Sequence, residues 1–137
     1  MTEKLHIAFI PGDGIGVDVS GATQVIVDRA MARAGCAPLT YETIHAGAGY
    51  FRETGQDIEP GGEKRAGELD AIFLGAIGLP AVRQADGTEI APHLRLRDIY
   101  GLYAGVRPVK AYPNAPQRLA DPRAAGIDLI ILRESTE

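Results

Sequence analysis

The opening of the chain constrains its fold most. Leu5-His6-Ile7-Ala8-Phe9-Ile10 is a short apolar run, and Pro11-Gly12 stops it. A run of that length bounded by turn residues reads as a buried strand. Gly12-Asp13-Gly14-Ile15-Gly16 then turns the chain into a long segment of helical period. Ile15, Val19, Ala22, Ile26 and Ala30 recur every three or four residues and form its apolar stripe, with Gln24, Asp28 and Arg33 off that stripe. The helix is expected to end near Gly35, since glycine is favoured just past a helix end.

The alternation continues. Tyr41, Thr43 and Ile44 favour extended structure and predict a strand at Leu39–His45. A short helix is expected within Gly47–Gly55. Another is expected from Pro60 to Leu69, with Pro60 near its first turn. Asp70–Gly75 reads as a third buried strand. Strands alternating with helices argue for an α/β fold whose parallel-rich sheet is flanked by helices on both faces. Residues 76–93, punctuated by Gly78, Pro80, Asp86-Gly87 and Pro92, read as a long loop, the kind that in a compact domain is functional or disordered. A helix around Leu94–Gly101 follows, then a strand at Leu102–Ala111 with Pro108 at an edge or bulge. Residues 112–126 read as surface connection. Ile127–Leu132 is a last apolar strand that runs into Arg133-Glu134-Ser135-Thr136-Glu137.

Composition narrows the function classes. The 137 residues suit a single domain. With 45% hydrophobic and 23% charged residues the chain is neither a disordered tail nor a collagen-like fibre. A net charge of −4 offers no basic field for nucleic acid or an anionic membrane. No apolar run approaches the roughly 20 residues of a membrane helix. The lone Cys36 makes no internal disulfide and no secretory signal opens the chain, so a cytoplasmic location is expected. The chain stops just after a core strand, at the strand end where open parallel sheets place their ligands. It therefore reads as the front part of a longer design.

Few motifs carry chemistry. Gly12-Asp13-Gly14-Ile15-Gly16 fails the G-x-G-x-x-G fingerprint at Val17, and no Gly-Lys-Ser/Thr makes it a phosphate loop; by itself it is a tight turn. The arginines are more telling. Arg95 and Arg97 lie about 200° apart on a helix, so only one of them faces a given cleft. Arg107 precedes a proline, and Arg133 ends the last strand. Converging guanidiniums suit a small dicarboxylate, because each grips a carboxylate with two parallel hydrogen bonds. The bland alternative is a set of solvated surface arginines. His6, His45 and His93 share no metal-ligand spacing, and Cys36 has no neighbour in sequence to activate it. Glu134 and Glu137 are acidic groups at a strand end.

Three segments together resemble one family. Ile10-Pro11-Gly12-Asp13-Gly14-Ile15-Gly16 resembles the opening of the isocitrate/isopropylmalate (β-decarboxylating) dehydrogenases. Leu96-Arg97 followed by Leu102-Tyr103-Ala104-Gly105-Val106-Arg107-Pro108 is similar to the family's L-R … Y-A-N-x-R-P segment. Asp128 to Glu137 is similar to its D-x-x-x-x-R-E-x-T-E/G strand.

The resemblance implies an isopropylmalate dehydrogenase-like fold, distinct from the Rossmann type. Residues 1–103 would begin the cofactor domain, and 104–137 would begin the substrate and dimerisation domain. It implies that Arg97, Arg107 and Arg133 bind the malate core of the substrate. Ile15, Gly75, Gly78, Leu79, Pro80 and Glu89 would lie along the nicotinamide cofactor. The implied reaction is metal-dependent oxidation of a malate-type 2-hydroxy dicarboxylic acid by NAD, or NADP, with Mg or Mn and usually with decarboxylation. The implied substrate is 3-isopropylmalate, as in leucine biosynthesis; the alternative is a tartrate- or malate-type acid. Ala91 and His93 stand where isocitrate enzymes carry serine and asparagine, which argues against isocitrate, and Gly105 replaces the family's usual asparagine. The family's catalytic tyrosine and lysine and its metal-binding aspartates fall beyond Glu137. The chain alone is therefore expected to hold no catalytic or metal-ligating residue and to be inactive, working as a homodimer at full length. A non-catalytic dicarboxylate-binding module is the competing reading if the polypeptide ends at 137.

Overall fold

A computed structural model describes residues 4–134. They form two compact units, divided in sequence between Leu96 and Arg97, a few residues before the 103/104 division that the resemblance implies. The first unit holds β1 (His6–Ile10), α1 (Ile15–Arg33), β2 (Thr40–Thr43), α2 (Ala48–Thr54), α3 (Gly62–Glu68) and β3 (Ala71–Leu74). Helix α4 (Pro92–Ile99) crosses from it into the second unit, which holds β4 (Ala104–Lys110) and β5 (Asp128–Glu134).

Strands β1, β2 and β3 form a parallel sheet in the order β2-β1-β3. The central strand is the most buried: Ala8 and Ile10 are fully enclosed, as a parallel strand covered on both faces requires. Ile44, Ala46, Ala48, Ile58, Ala66 and Ile90 complete the core around it. The Asp70 carboxylate accepts the His6 N–H at 2.7 Å, fixing the entry of β1 beside β3.

Helix α1 follows the expected span and ends as expected. The Gly35 N–H donates to Ala32 O at 3.1 Å and the Cys36 N–H to Met31 O at 3.0 Å, with Gly35 at φ 68. This paired closure is the one for which glycine is selected. The buried face of α1, however, is not the apolar stripe. Ile15, Val19, Ala22, Ile26 and Ala30 are all exposed, and the buried positions are Gly16 and Ser20. A Cβ on Gly16 would lie 2.3 Å from Ala76 O and 2.8 Å from Pro11 O, and Ser20 Oγ donates to Pro11 O at 3.3 Å. Only small side chains let the helix approach the strand ends this closely. They select the face, which continues through half-buried Gln24, Val27 and Met31.

Strands β4 and β5 do not extend the parallel sheet. They pair with each other, antiparallel, from Ala104↔Glu134 to Lys110↔Asp128. Pro108 lies opposite Ile130 on a strand that pairs on one side, where its missing N–H is tolerated. The connection before β5 contains one short 3-10 turn, Pro122–Gly126, whose Arg123 N–H is met by the Asp121 side chain. Among the described residues no helix is long and apolar enough to cross a membrane.

Candidate functional site

The carboxyl ends of the three parallel strands carry three loops that converge on one side chain. Asp13 follows β1 and is only 7% exposed. Its Oδ2 accepts the N–H groups of Ala48 (2.7 Å) and Gly78 (2.9 Å), and its Oδ1 accepts that of Gly49 (2.7 Å). Its own N–H donates to Ala76 O at 2.7 Å. The glycines around it are there for space. A Cβ on Gly12 would sit 2.0 Å from Ala76 O, and one on Gly47 would sit 2.4 Å from Asp13 Oδ2. Both also adopt positive φ, which side chains other than glycine rarely accept.

Beside this hub lies a cavity of ≈ 180 Å³ lined by Ile77, Gly78, Leu79, Pro80, Val82, Glu89 and Ile90. Four of the residues that the resemblance assigns to the cofactor, Gly78, Leu79, Pro80 and Glu89, thus share one cavity. Glu89 pairs with Arg83 at 3.1 Å across a small antiparallel bridge. The turn that closes this bridge is tightened by Asp86, which accepts the Thr88 N–H and Oγ1–H. Those bonds, the backbone one first, hold the Asp86 carboxyl below its usual range. The long loop is therefore folded on itself. Gly75 does not line the cavity. It is packed where a Cβ would meet Pro11 O at 2.0 Å and Ser20 Oγ at 2.4 Å. Ile15 opens α1 at 72% exposure and lies outside the cavity wall.

In the second unit, register places Arg107 opposite Ile131 and Arg133 opposite Gly105. Directly opposed residues, and residues two apart on one strand, share a sheet face. Arg107 and Arg133 are therefore diagonal neighbours on one face of the β4–β5 pair, roughly 7–8 Å apart with their Cβ atoms somewhat closer. Gly105, facing Arg133, adds no side chain to that face. Glu134 points to the other face, and Glu137 lies outside the described residues.

The two helical arginines have separate surroundings. Arg97 is half-buried in the last turn of α4. Arg95 grips both oxygens of Asp57, at 2.8 and 2.9 Å, and also reaches Glu63. Its hydrogen bonds to Asp57 hold the guanidinium pKa above its ordinary value against an opposing effect of burial. Arg95 thus ties α4 to α3 and to the segment before it. His45 stacks on Tyr50 with ring centres 6.2 Å apart.

Known proteins carry the same arrangement of segments. The family model for isocitrate/isopropylmalate dehydrogenase matches residues 6–137. The chain belongs to this family. A 3-isopropylmalate dehydrogenase of Bifidobacterium longum (strain DJO10A) is 36% identical over 137 residues, covering 100% of this chain and 38% of that protein. A tartrate dehydrogenase/decarboxylase of Pseudomonas putida is 30% identical over 135 residues, covering 98% of this chain and 37% of that protein. The crystal structure of a beta-decarboxylating dehydrogenase from Thermococcus kodakarensis superposes with a TM-score of 0.64 at 27% identity, covering 97% of this chain and 34% of that one. The chain thus has the family's α/β fold, and it spans little more than a third of the length of these relatives.

Asp13 is the residue of this family member that sequence reasoning left without a role. The available signal was a carboxylate held between two glycines in a sharp turn, a place where a solvated side chain has no need of glycine on either side.

Proposed function

We propose that this chain supplies the dicarboxylate grip and part of the cofactor loop of an NAD(P)-dependent, decarboxylating dehydrogenase acting on a malate-type 2-hydroxy acid, with 3-isopropylmalate as the preferred substrate. The observation that carries this reading is the placing of Arg107 and Arg133 on one face of the β4–β5 pair. Two guanidinium forks on one sheet face suit the two carboxylates of a small diacid. Arg97 is read as the third cation of the grip. The greater identity to the 3-isopropylmalate enzyme, 36% against 30% for the tartrate enzyme, supports the substrate choice.

The cavity lined by Gly78, Leu79, Pro80 and Glu89 suits one edge of a dinucleotide. Leu79 and Pro80 offer apolar surface, and Gly78 lets the backbone come close. Gly75 and Ile15 are read as supporting that loop and its neighbouring turn. When bound, the nicotinamide accepts the hydride from the hydroxyl-bearing carbon. This chain's own task is to orient the acid, neutralise its carboxylates and exclude water beside the ring. Among the described residues no group of three His, Cys, Asp or Glu could hold a metal ion, so no step through Mg or Mn is assigned to them. The reading carries with it a cytoplasmic homodimer with no nucleic-acid or membrane partner.

The test is an assay of the enzyme containing this segment, with 3-isopropylmalate, D-malate, tartrate and isocitrate, each with NAD or NADP and with Mg or Mn. The expected outcome is the highest kcat/KM on 3-isopropylmalate, falling roughly a hundredfold in Arg107→Ala as a charge-assisted contact is lost. Turnover of none of these acids, or turnover indifferent to Arg107, would overturn it.

A further inference from the structure

We infer that Asp13 is a positioning residue that couples the 76–80 loop to the first turn of α2, an inference that rests on reading that loop as the cofactor lip. The carboxylate spends its bonds on two segments far apart in sequence, Ala48-Gly49 and Gly78. One oxygen, Oδ2, is shared between Ala48 and Gly78, so neither N–H moves without disturbing the acceptor of the other. The backbone N–H of the same residue grips Ala76, so the 76–78 segment has two anchors on one residue. Gly47, at φ 122, keeps the α2 side open, since a Cβ there would strike Oδ2.

The geometry makes the charge state and shape of this carboxylate matter. A side-chain amide has one acceptor oxygen and an NH2 group. Whichever way the amide of an Asp13→Asn variant turned, its NH2 would confront a backbone N–H, from Gly49 or from Ala48 and Gly78. Loss of the α2 bonds would then loosen Gly78, and with it the adjoining Leu79 and Pro80 that wall the ≈ 180 Å³ cavity. Asp13 lines no part of that cavity and so acts on it through the loop.

Residue-by-residue amide hydrogen exchange on the 137-residue chain tests the coupling. In the unaltered chain, Ala48, Gly49 and Gly78 should exchange through one shared opening, with protection agreeing within about threefold. Asp13→Asn should lower all three together by about tenfold or more, leaving Ala8 and Ile10 of β1 protected. Gly47→Ala, acting from the α2 side, should lower Gly78 protection as well. Independent exchange of Gly78 in the unaltered chain overturns the inference, and that comparison stands even if a variant fails to fold. An Asp13→Asn chain that keeps Gly78 protected overturns it too. Titration of the enzyme containing this segment with NAD+ adds a readout that a purely structural carboxylate would not move: the Gly78 and Leu79 amide shifts should need severalfold more NAD+ in folded Asp13→Asn. Equal NAD+ responses in the two folded proteins count against the positioning role. No NAD+ response in the unaltered enzyme contradicts the cofactor reading instead, because exchange is measured without ligand.

Discussion

Tyr41 shows how single side chains here are tuned by their neighbours. Its phenol donates to Asp28 Oδ1 at 2.8 Å, and its ring meets Phe9 edge-on with centres 5.8 Å apart. Burial, then the hydrogen bond and charge of Asp28, push its pKa up to about 12. In the unfolded chain a tyrosine titrates near 10. The folded state therefore holds the proton more tightly. The resulting stabilisation is complete below about pH 10 and is lost as pH rises from there through about 12. An ultraviolet pH titration, with Tyr41→Phe to assign the signal, should show this late transition, and Asp28→Asn should bring it down. A Tyr41 signal at the ordinary tyrosine value would be incompatible with this environment. Single residues were legible in the sequence where chemistry is local and opaque where it is not. The glycine turn around Asp13 and the Asp86-Gly87 turn could be read from neighbours in the chain. The partners of Asp13, at Ala48 and Gly78, could not, because no periodicity links residues so far apart.

Among the elements, α1 and its glycines separate backbone space from backbone freedom. Gly21 lies in the middle of α1 with nothing within 4 Å of where a Cβ would stand. Gly21→Ala should therefore stabilise the chain by about 1 kcal/mol, the intrinsic helix preference of alanine over glycine. Gly75 has a backbone oxygen 2.0 Å from that position, and β1 and α1 cannot both yield. Gly75→Ala should cost about 3 kcal/mol or more. Urea unfolding of the two variants checks the opposite signs, and a neutral Gly75→Ala would contradict the packing described. The same helix marks the limit of pattern reading. Its length and its Gly35 closure follow from apolar spacing and a glycine. Its buried face does not, since spacing reports which residues are apolar and not how closely a backbone approaches. Gly16 and Ser20 decided that face by being small. Likewise, short apolar runs announce β4 and β5 but carry no direction, and only the pairing made them antiparallel.

Over the whole molecule, the described residues leave much apolar surface uncovered. Ile26 is 66% exposed on α1, and Leu132 is 73% exposed on β5. These faces belong to a chain that spans little more than a third of the length of its relatives. The three motifs that revealed the family fall in both units: the glycine turn in the first, the two arginine segments in or at the edge of the second. Sequence order was enough to recognise them, and the sheet register was needed to see that Arg107 and Arg133 share a face. The dicarboxylate grip depends on that shared face. The decisive experiment is nuclear magnetic resonance of the arginine Nε–H groups in the 137-residue chain during titration with D-malate, with acetate as the control. The Arg107 and Arg133 signals should move together, with a Kd of roughly millimolar order, and Arg107→Ala should remove the response of Arg133. If the two arginines responded independently, or if D-malate did no better than acetate, they would not be the two halves of a dicarboxylate grip.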